Sequence, residues 1–292
     1  MVIGLSHKML SEQDLQAQET GHQLMTHSQE NIADEFLEIA SEQRLAIILK
    51  LFENKAKVST LAKELGATVP EVFRNFERLA KAGLIVKDTD NYYHLTTFGK
   101  TICGQIPPVV FISQNKKYFK DHDFGNIPPK FIHRIGELAS GQWVKGFVKV
   151  LEKWKEIYKN SNKYIFNILA EVPYTSDLVE PLVANARKGV KISSILSESA
   201  IITKERKKIL DKHGFKKLIE SGLVERRMIN DVKVVVVLNE KEACVMFPTA
   251  EGEVDMSSLF HSDDPSFHEW CFDYFRYCWD NSSIFQESKI KE

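Results

Sequence analysis

The stretch STLAKELGATVPEVFRNFERLAKAGLI, residues 59–85, decides the fold of the first third of the chain. A short helix is predicted to begin at the hydroxyl residue Ser59 and to end at Gly66, since glycine readily adopts the left-handed conformation of helix ends. A second helix is predicted to begin at Thr68, with Glu71 three residues later at the spacing of a capping box. A glycine ends this helix too. The stretch therefore predicts two helices joined by a tight turn.

The second predicted helix is amphipathic. Val72, Phe76 and Leu79 recur at helical spacing and are expected to face the core. A proline in the first turn is tolerated, because the N–H it lacks has no partner within the helix. The opposite face is expected to carry Thr68, Pro70, Glu71, Arg74, Asn75 and Arg78.

The segments on either side complete the pattern. Downstream, Leu84–Lys87 and Tyr92–Leu95 have the composition of short strands, joined by the turn residues 88–91. Thr96 is expected to cap a further helix. The order of helix, helix, turn, helix and hairpin is that of a winged helix-turn-helix. The first helix of this order is predicted from an apolar face of Leu45, Ile48, Leu49 and Phe52.

A winged helix-turn-helix suggests contact with DNA, because the second helix of the pair enters the major groove. Arg74 and Asn75 suit guanine and adenine edges, and Thr68 and Arg78 suit phosphates. Two alternatives remain open: a solvated helix face and a module for protein interaction or dimerisation. Residues 31–105 hold ten Lys or Arg and ten Asp or Glu, so net charge does not favour DNA. The wing residues expected to touch DNA are Lys87, Asn91, Tyr92 and His94.

Three segments of this region resemble the winged domain of ArsR-type bacterial and archaeal transcription regulators. They are SEQRLAIILKLF (residues 41–52), the stretch 59–85 and YYHLTTFGKTI (residues 92–102). The resemblance implies a DNA-binding domain. Cys103 stands alone, without the clustered Cys and His of a metal sensor, so metal sensing is not implied.

The remainder of the chain predicts an α/β domain, because strand and helix signals alternate from Lys163 onward. Residues 164–169 are predicted as a strand and 204–221 as a helix, and Asp264 is expected to begin the last helix. The predicted fold class is α+β: an N-terminal winged helix-turn-helix joined by a helical segment to a C-terminal α/β domain. Pro107-Pro108 is taken as part of a boundary, and residues 131–159 as helical. The predicted segments are a polar lead-in (1–30), the winged domain (31–105), a linker and helical segment (106–160), an α/β effector or dimerisation domain (161–285) and a tail (286–292).

The C-terminal part also resembles a known group, on ARKGVKISSIL (residues 186–196), GLVERRMINDVKVVVVLNEKEACVMFP (222–248) and DDPSFHEWCFDYFRYCW (263–279). These segments resemble the archaeal methanogenesis regulatory proteins and, more distantly, TrmB-type regulators. The resemblance covers about residues 130–285 and implies a degenerate phospholipase-D-like fold. Phospholipase-D-type enzymes use an HxKxxxxD motif. Its counterpart here, Asp231-Val232-Lys233 with Leu238 at the last position, lacks the nucleophilic His, so no catalytic residue and no enzyme is predicted.

Lys233, with Arg226 and Arg227, is the candidate set for binding an anionic ligand, although a lysine in solvent is the simpler interpretation. No metal or cofactor is predicted. His268 and Cys271 share a helix face, but their spacing fits no standard zinc signature and the aromatic residues around them are typical of a core.

The whole chain of 292 residues carries 39 Lys or Arg and 40 Asp or Glu, a formal net charge of −1, which excludes a uniformly basic coat protein. No signal-peptide or membrane-spanning pattern is seen, and four scattered cysteines favour a reducing compartment. A cytoplasmic location is therefore expected.

These features favour a sequence-specific DNA-binding transcription regulator. It is expected to be a homodimer that binds double-stranded DNA and no membrane, and its C-terminal domain to sense a small molecule or to mediate dimerisation. One alternative is an enzyme of methyltransferase type that dimerises through its winged domain. The stretch 169–173 has no glycine for a nucleoside-binding loop, which counts against it. A transcription-complex scaffold without a ligand is the third hypothesis.

Overall fold

The computed structural model describes residues 29–171, 176–200 and 204–289. The chain divides into two compact units, residues 1–104 and 105–292. We call them the winged unit and the sheet unit. Most of the predicted lead-in (1–30) and the end of the predicted tail lie outside the described residues.

The winged unit is built from helices and one hairpin. Its elements are α1 (Gln29–Ile39), α2 (Glu42–Glu53), α3 (Val58–Glu64), α4 (Val69–Lys81), β1 (Ile85–Lys87), β2 (Tyr93–Leu95) and the first part of α5 (Thr97–Gln114). Gly66 and Gly83 have φ of +62° and +71°, which confirms the predicted helix ends. The hydroxyl of Thr96 accepts a hydrogen bond from the N–H of Gly99 at 3.0 Å, as predicted for a cap.

Three local predictions in this unit are wrong: the start of α3, the buried face of α2 and the capping box of α4. Helix α3 begins at Val58 rather than at a Ser59 cap. Helix α2 buries Ile47, Ile48 and Leu51 and leaves Phe52, assigned to its core face, 52% exposed. The sequence LAIILKLF is apolar on more than one face, so spacing alone could not fix which side turns inward.

The capping box predicted for α4 is absent. Thr68 occupies the position before the helix with extended backbone but makes no side-chain cap. The carboxylate of Glu71 instead accepts a hydrogen bond from the side chain of Gln43, at 3.1 Å. Glu71 thus bonds to Gln43, 28 positions earlier in the sequence, and not to the backbone at the start of its own helix.

The sheet unit alternates helices and strands around one sheet. After the end of α5 come α6 (Pro129–Ile132), β3 (Gln142–Lys145), α7 (Phe147–Lys159), β4 (Tyr164–Leu169), α8 (Ser176–Arg187), β5 (Lys191–Ser197), α9 (Lys204–Lys212), α10 (Phe215–Glu220), β6 (Val224–Ile229), β7 (Val235–Asn239), β8 (Ala243–Met246), β9 (Ser258–Ser262), α11 (Pro265–Asp280) and β10 (Ser283–Ile284).

Within the described residues the strands form one eight-stranded sheet in the order β10-β6-β5-β4-β7-β8-β9-β3. Strands β4, β5 and β6 run parallel, and the other pairs are antiparallel. Val235–Leu238 and Ala243–Met246 are fully buried, as expected for strands covered on both faces. The α+β prediction for the chain is confirmed.

The segment predicted as a linker and helical region, 106–160, is largely part of this unit. Residues 142–145 form the edge strand β3 rather than a helix. Gly146 follows with φ of +110°, a conformation that ends the strand before α7 begins. A continuous helix over residues 131–159 had been predicted, because the four-residue spacing of Trp143 and Phe147 also fits one face of a helix.

Pro107 and Pro108, taken as a boundary, lie inside α5. A proline inside a helix removes a backbone hydrogen bond, so packing has to hold the helix here. Pro107 lies against Gly136, where an added Cβ would come within 2.5 Å of the Pro107 backbone. Phe111, one turn further along, is fully buried.

Two further elements differ from prediction. The single helix expected over 204–221 is divided into α9 and α10 by Gly214, at φ of +68°. Strands β9 and β10 were not predicted. By contrast, Asp264 accepts hydrogen bonds from the N–H groups of Ser266 and Phe267 and confirms the predicted start of the last helix. No helix in the described part of the chain is both long and apolar enough to cross a lipid bilayer.

Candidate nucleic-acid interface

Helix α4 has the predicted two faces. Val72, Phe76 and Leu79 have no exposed surface and fix the helix against the core of the winged unit. The ring of Phe76 meets that of Tyr93 edge-on at 4.7 Å, which joins α4 to the hairpin. On the other side the residues predicted to face DNA are exposed, apart from the half-buried Asn75: Thr68, Pro70, Glu71, Arg74 and Arg78.

Arg78, predicted to suit a phosphate, is held within the winged unit. Its guanidinium donates to both carboxylate oxygens of Glu38 in α1, at 2.6 and 3.0 Å. Glu38 also lies 3.2 Å from the buried guanidinium of Arg44 in α2. The hydrogen bond from Arg78 outweighs the effect of burial and, with the charge of Arg44, lowers the pKa of Glu38. One carboxylate thus ties three helices together, so Arg78 positions α4.

Asn75, predicted to read an adenine edge, is also engaged. Its side-chain amide donates to the side-chain oxygen of Gln43 and to the backbone carbonyl of Glu71. Both partners belong to the winged unit. A base contact by Asn75 would therefore replace hydrogen bonds that already exist.

Arg74 differs from these two side chains. It lies on the exposed face of α4, one turn before Arg78, and has no hydrogen bond or ion pair to any other described residue. Its five N–H donors are thus available for a planar acceptor pair such as the O6 and N7 of guanine. Phe73 and Val69 beside it are 43% and 50% exposed and add apolar surface to the same side of the helix.

The wing is a well-defined turn. The carboxylate of Asp88 accepts from the N–H groups of Asp90 and Tyr92, and Asn91 takes the left-handed conformation at φ of +64°. The predicted turn chemistry at 88–91 is therefore confirmed. Lys55 donates to Asp88 at 3.1 Å and fixes the base of the turn.

The predicted wing residues lie close to one another, with a basic pair that the sequence did not single out. The ammonium groups of Lys55 and Lys57 lie 4.8 and 4.7 Å from the centre of the Tyr92 ring. Lys87 and Asn91 are exposed, and the ring of the half-buried His94 lies 3.2 Å from the carbonyl of Leu95. Lys57 makes no ion pair with a described residue, so its charge faces solvent beside the wing. Only the fold brings Lys57 close to Tyr92, so no pattern of neighbouring residues in the sequence could have predicted this contact.

The predicted ligand set of the sheet unit does not converge. Arg226 and Arg227 are neighbours on β6 and therefore point to opposite faces of the sheet. The guanidinium of Arg226 lies 3.8 Å from the Phe285 ring centre, and Arg227 donates to the carbonyl of Trp279. Lys233 lies 3.4 Å from the carboxylate of Asp231. Each side chain has its own partner.

A cavity of about 280 Å³ lies at the carboxyl ends of β4 and β6. None of the three predicted ligand residues lines it. Its walls carry amide, carboxyl and phenol groups from Asn126, Asn230, Asp231, Tyr274, Tyr277 and Asn281. The carboxyl ends of parallel strands are where open α/β sheets bind ligands.

The two units match two regulatory families. Residues 41–87 match the family described as bacterial regulatory protein, arsR family. Residues 148–281 match the methanogenesis regulatory protein FilR1, middle domain. The chain is a DNA-binding transcription regulator with an arsR-family segment in its winged unit and a segment matching the FilR1 middle domain in its sheet unit. Both resemblances seen in the sequence are confirmed.

The solved structures that match this chain share little sequence with it. TrmBL2, described as an archaeal chromatin protein with a novel mode of DNA binding, is 14% identical and covers 84% of this chain and 94% of its own, with a TM-score of 0.40. Nuc from Salmonella typhimurium, a phospholipase D family member, is 12% identical over 50% of this chain and 99% of its own (TM-score 0.37). NucT from Helicobacter pylori is 13% identical over 50% and 98% (TM-score 0.39). No curated protein matches the chain.

Proposed function

We propose that this regulator binds specific operator sequences as a homodimer, with α4 in the major groove and the wing against the DNA backbone or minor groove. The sheet unit then either binds a small effector or mediates dimerisation. Because chromosomal DNA is the proposed partner, the chain would act in the cytoplasm. We assign it no catalytic role, since Asp231 stands where a phospholipase-D-type nucleophile would need a histidine.

The observation that carries the proposal is the free guanidinium of Arg74. The helix beneath it is fixed by three fully buried side chains and by the Glu38–Arg78 ion pair. A base-reading side chain needs such a rigid support, because specificity depends on directional hydrogen bonds at fixed positions. Arg74 would therefore read a guanine edge, while Thr68 at the start of α4 would contact a phosphate.

The wing would supply backbone contacts. Lys57 and Lys87 carry exposed ammonium groups, and the rigid turn 88–91 would hold the Asn91 amide and the Tyr92 ring in place. These contacts would add affinity that falls with salt and would carry little sequence information.

The sheet unit offers the cavity at the carboxyl ends of β4 and β6 as its effector site. Asn126 and Pro128, which line one side, belong to the segment between α5 and α6. An effector bound there would contact this segment directly. Regulation would require that the effector bind the DNA-competent and DNA-incompetent states with different affinity.

The experiment that tests this function is an electrophoretic shift with the DNA upstream of the chain's own coding sequence, at two salt concentrations. We expect a shift that weakens with salt, and an Arg74→Ala variant that binds this DNA about 10- to 100-fold more weakly, the value of one bidentate base contact. The thermal midpoint should stay unchanged, because Arg74 has no partner among the described residues.

Arg74→Lys is the matched variant. It keeps the charge but loses the paired donors, so it should retain the salt dependence and lose the discrimination between operator and mixed-sequence DNA. Equal affinity of the wild type and both variants for a genuine operator would remove Arg74 from the interface. No shift at low salt would refute the proposed function.

A further inference from the structure

Five exposed lysines gather at the amino ends of the parallel strands of the sheet unit. They come from the end of α7, the start of β4, the turn after α8, the start of β5 and the turn between β7 and β8. We call this set the lysine edge: Lys159, Lys163, Lys188, Lys191 and Lys241.

The backbone brings these segments together. The N–H of Lys191 donates to the carbonyl of Lys163 at 3.1 Å, where β5 begins beside β4. The ammonium of Lys241 donates to the carbonyl of Asn160 at 3.1 Å. Lys159 and Lys188 line one groove between α7 and α8, about 470 Å³ in volume. Residues up to 82 positions apart thus form a continuous surface.

These lysines lack the acidic partners that other lysines of the sheet unit have. Lys155 pairs with Asp177 at 3.2 Å and Lys153 with Glu156 at 2.5 Å. Within the described residues, none of the five side-chain ammonium groups of the edge lies within 4 Å of a carboxylate oxygen. Glu240 on this edge accepts hydrogen bonds from the N–H groups of residues 162 and 163 instead. Asp177 and Glu180 also line the groove between α7 and α8, but within the described residues neither carboxylate pairs with Lys159 or Lys188.

The basic surface extends beyond the five. Arg187, at the end of α8, donates to the carbonyl of His213 at 2.7 Å. This contact joins α8 to the corner between α9 and α10, where Lys216 and Lys217 are exposed. Several chain segments therefore contribute free positive charge to one side of the unit.

We propose that the lysine edge is a second DNA-contacting surface, which binds phosphate groups without reading bases. The proposal rests on the proposed DNA-binding function of the chain. Flexible ammonium groups suit phosphate as point charges, and their binding releases counterions from the duplex. An acidic protein fits less well, because interface cores need apolar anchors and the residues between the lysines include Asn160, Asn162 and Gly189.

The test uses the full chain with Lys163→Gln, Lys188→Gln and Lys191→Gln combined. Binding to a fluorescent mixed-sequence duplex of about 60 bp is followed by anisotropy between about 50 and 200 mM KCl. Each lost phosphate contact reduces the slope of log K against log salt by about 0.9, so we expect a slope shallower by roughly 2–3. Affinity at the lowest salt should fall at least about tenfold.

The matched control replaces the same three lysines by arginine, which keeps the charge. The arginine variant should bind like the wild type. Lys188 also follows a helix C-terminus, where a cation stabilises the helix, so the thermal midpoint of both variants is measured. A lower midpoint with an unchanged slope would show a purely structural role and overturn the proposal.

The outcomes separate this proposal from that for the winged unit. Suppose that the glutamine variant binds DNA like the wild type while Arg74→Ala loses operator affinity. This result would overturn only the proposal that the lysine edge contacts DNA, and would leave an acidic protein as the partner of that surface. Loss of slope in both the glutamine and the arginine variants would also overturn it. A wild type that binds no duplex at any salt would refute both proposals.

Discussion

The two units hold their positive charges differently. In the winged unit Arg44 and Arg78 share Glu38, and Lys55 pairs with Asp88, so cations fix the positions of helices and wing. In the sheet unit the lysine edge makes no such pairs within the described residues. Paired charges give a rigid surface on which a single free group such as Arg74 can read a base, whereas free lysines can only attract phosphate.

This difference explains how a winged domain whose residues 31–105 hold ten basic and ten acidic side chains can bind DNA. Many of those charges are paired within the unit or solvated, and under our proposal a small number of positioned donors supplies specificity. Non-specific affinity can come from elsewhere in the chain.

The largest effect is expected at Gly99, near the start of α5. A Cβ atom there would lie 2.0 Å from the carbonyl oxygen of Leu84, a backbone atom that cannot move aside. Gly99→Ala should therefore destabilise the winged unit by more than about 4 kcal/mol and abolish operator binding, with the sheet unit still folded. Calorimetry with two resolved transitions would measure this.

Gly104→Ala, in the same helix, is the control. Nothing lies within 4 Å of its added Cβ, so it should be neutral or stabilising by up to about 1 kcal/mol. Similar midpoints for the two alanine variants would contradict the close packing of α5 on the hairpin.

The second effect concerns acid stability of the sheet unit. Burial would raise the pKa of Asp255, but hydrogen bonds from Ser257, Ser258 and His122 outweigh it and lower the pKa to about 2. Because the pKa of Asp255 is lower in the folded state, its ionised carboxylate stabilises the sheet unit at pH values above the ordinary pKa of 3.8. This stabilisation is lost as the pH falls toward 2. The contribution is on the order of 2 kcal/mol.

Asp255→Asn should therefore lower the melting temperature of the sheet unit at pH 6 and flatten its dependence on pH between about 4 and 2. The transition of the winged unit should not change. Calorimetry across this pH range measures both. A variant with the steep acid dependence of the wild type would show that Asp255 is not the responsible group.

The third comparison is between two arginines one turn apart. Arg78→Ala breaks the pair with Glu38 and leaves Arg44 to share it alone, so it should lower the midpoint of the winged unit. Its effect on the ratio of operator to mixed-sequence affinity should stay below about threefold, against at least about tenfold for Arg74→Ala. The reverse ranking in anisotropy titrations would mean that Arg78 reads DNA and Arg74 does not.

The smallest effect is expected at the wing. Lys57→Ala should weaken binding only about two- to threefold and reduce the salt slope by about one, because it removes one free phosphate contact. Lys55→Ala should change the slope less, since Lys55 is paired with Asp88 at 3.1 Å. Equal slopes for both variants would place Lys57 outside the interface.

The sequence predicts best what is set by neighbouring residues. The helix ends at Gly66 and Gly83, the cap at Thr96 and the turn at 88–91 all depend on contacts within a few positions, and the structure contains each of them. Strand β4 was also predicted with the bounds that the structure has, Tyr164–Leu169.

The features that the sequence did not predict depend on contacts between residues far apart in the chain. Strand β3 pairs with β9 more than 110 residues later, and its apolar residues fit a helical spacing equally well. The ion pair of Glu38 with Arg78 joins residues 40 positions apart, so sequence alone could not show which arginine of α4 stays free. The lysine edge is likewise assembled only when the strands pair.

Base reading by Arg74 can be measured by selecting bound duplexes from a randomised DNA pool, with the wild type and Arg74→Ala in parallel. We expect the wild type to enrich a two-fold symmetric motif, as a homodimer requires, with a guanine in each half-site. Arg74→Ala should lose the preference at that guanine alone. No enriched motif from the wild type, or the same motif from both proteins, would contradict this expectation.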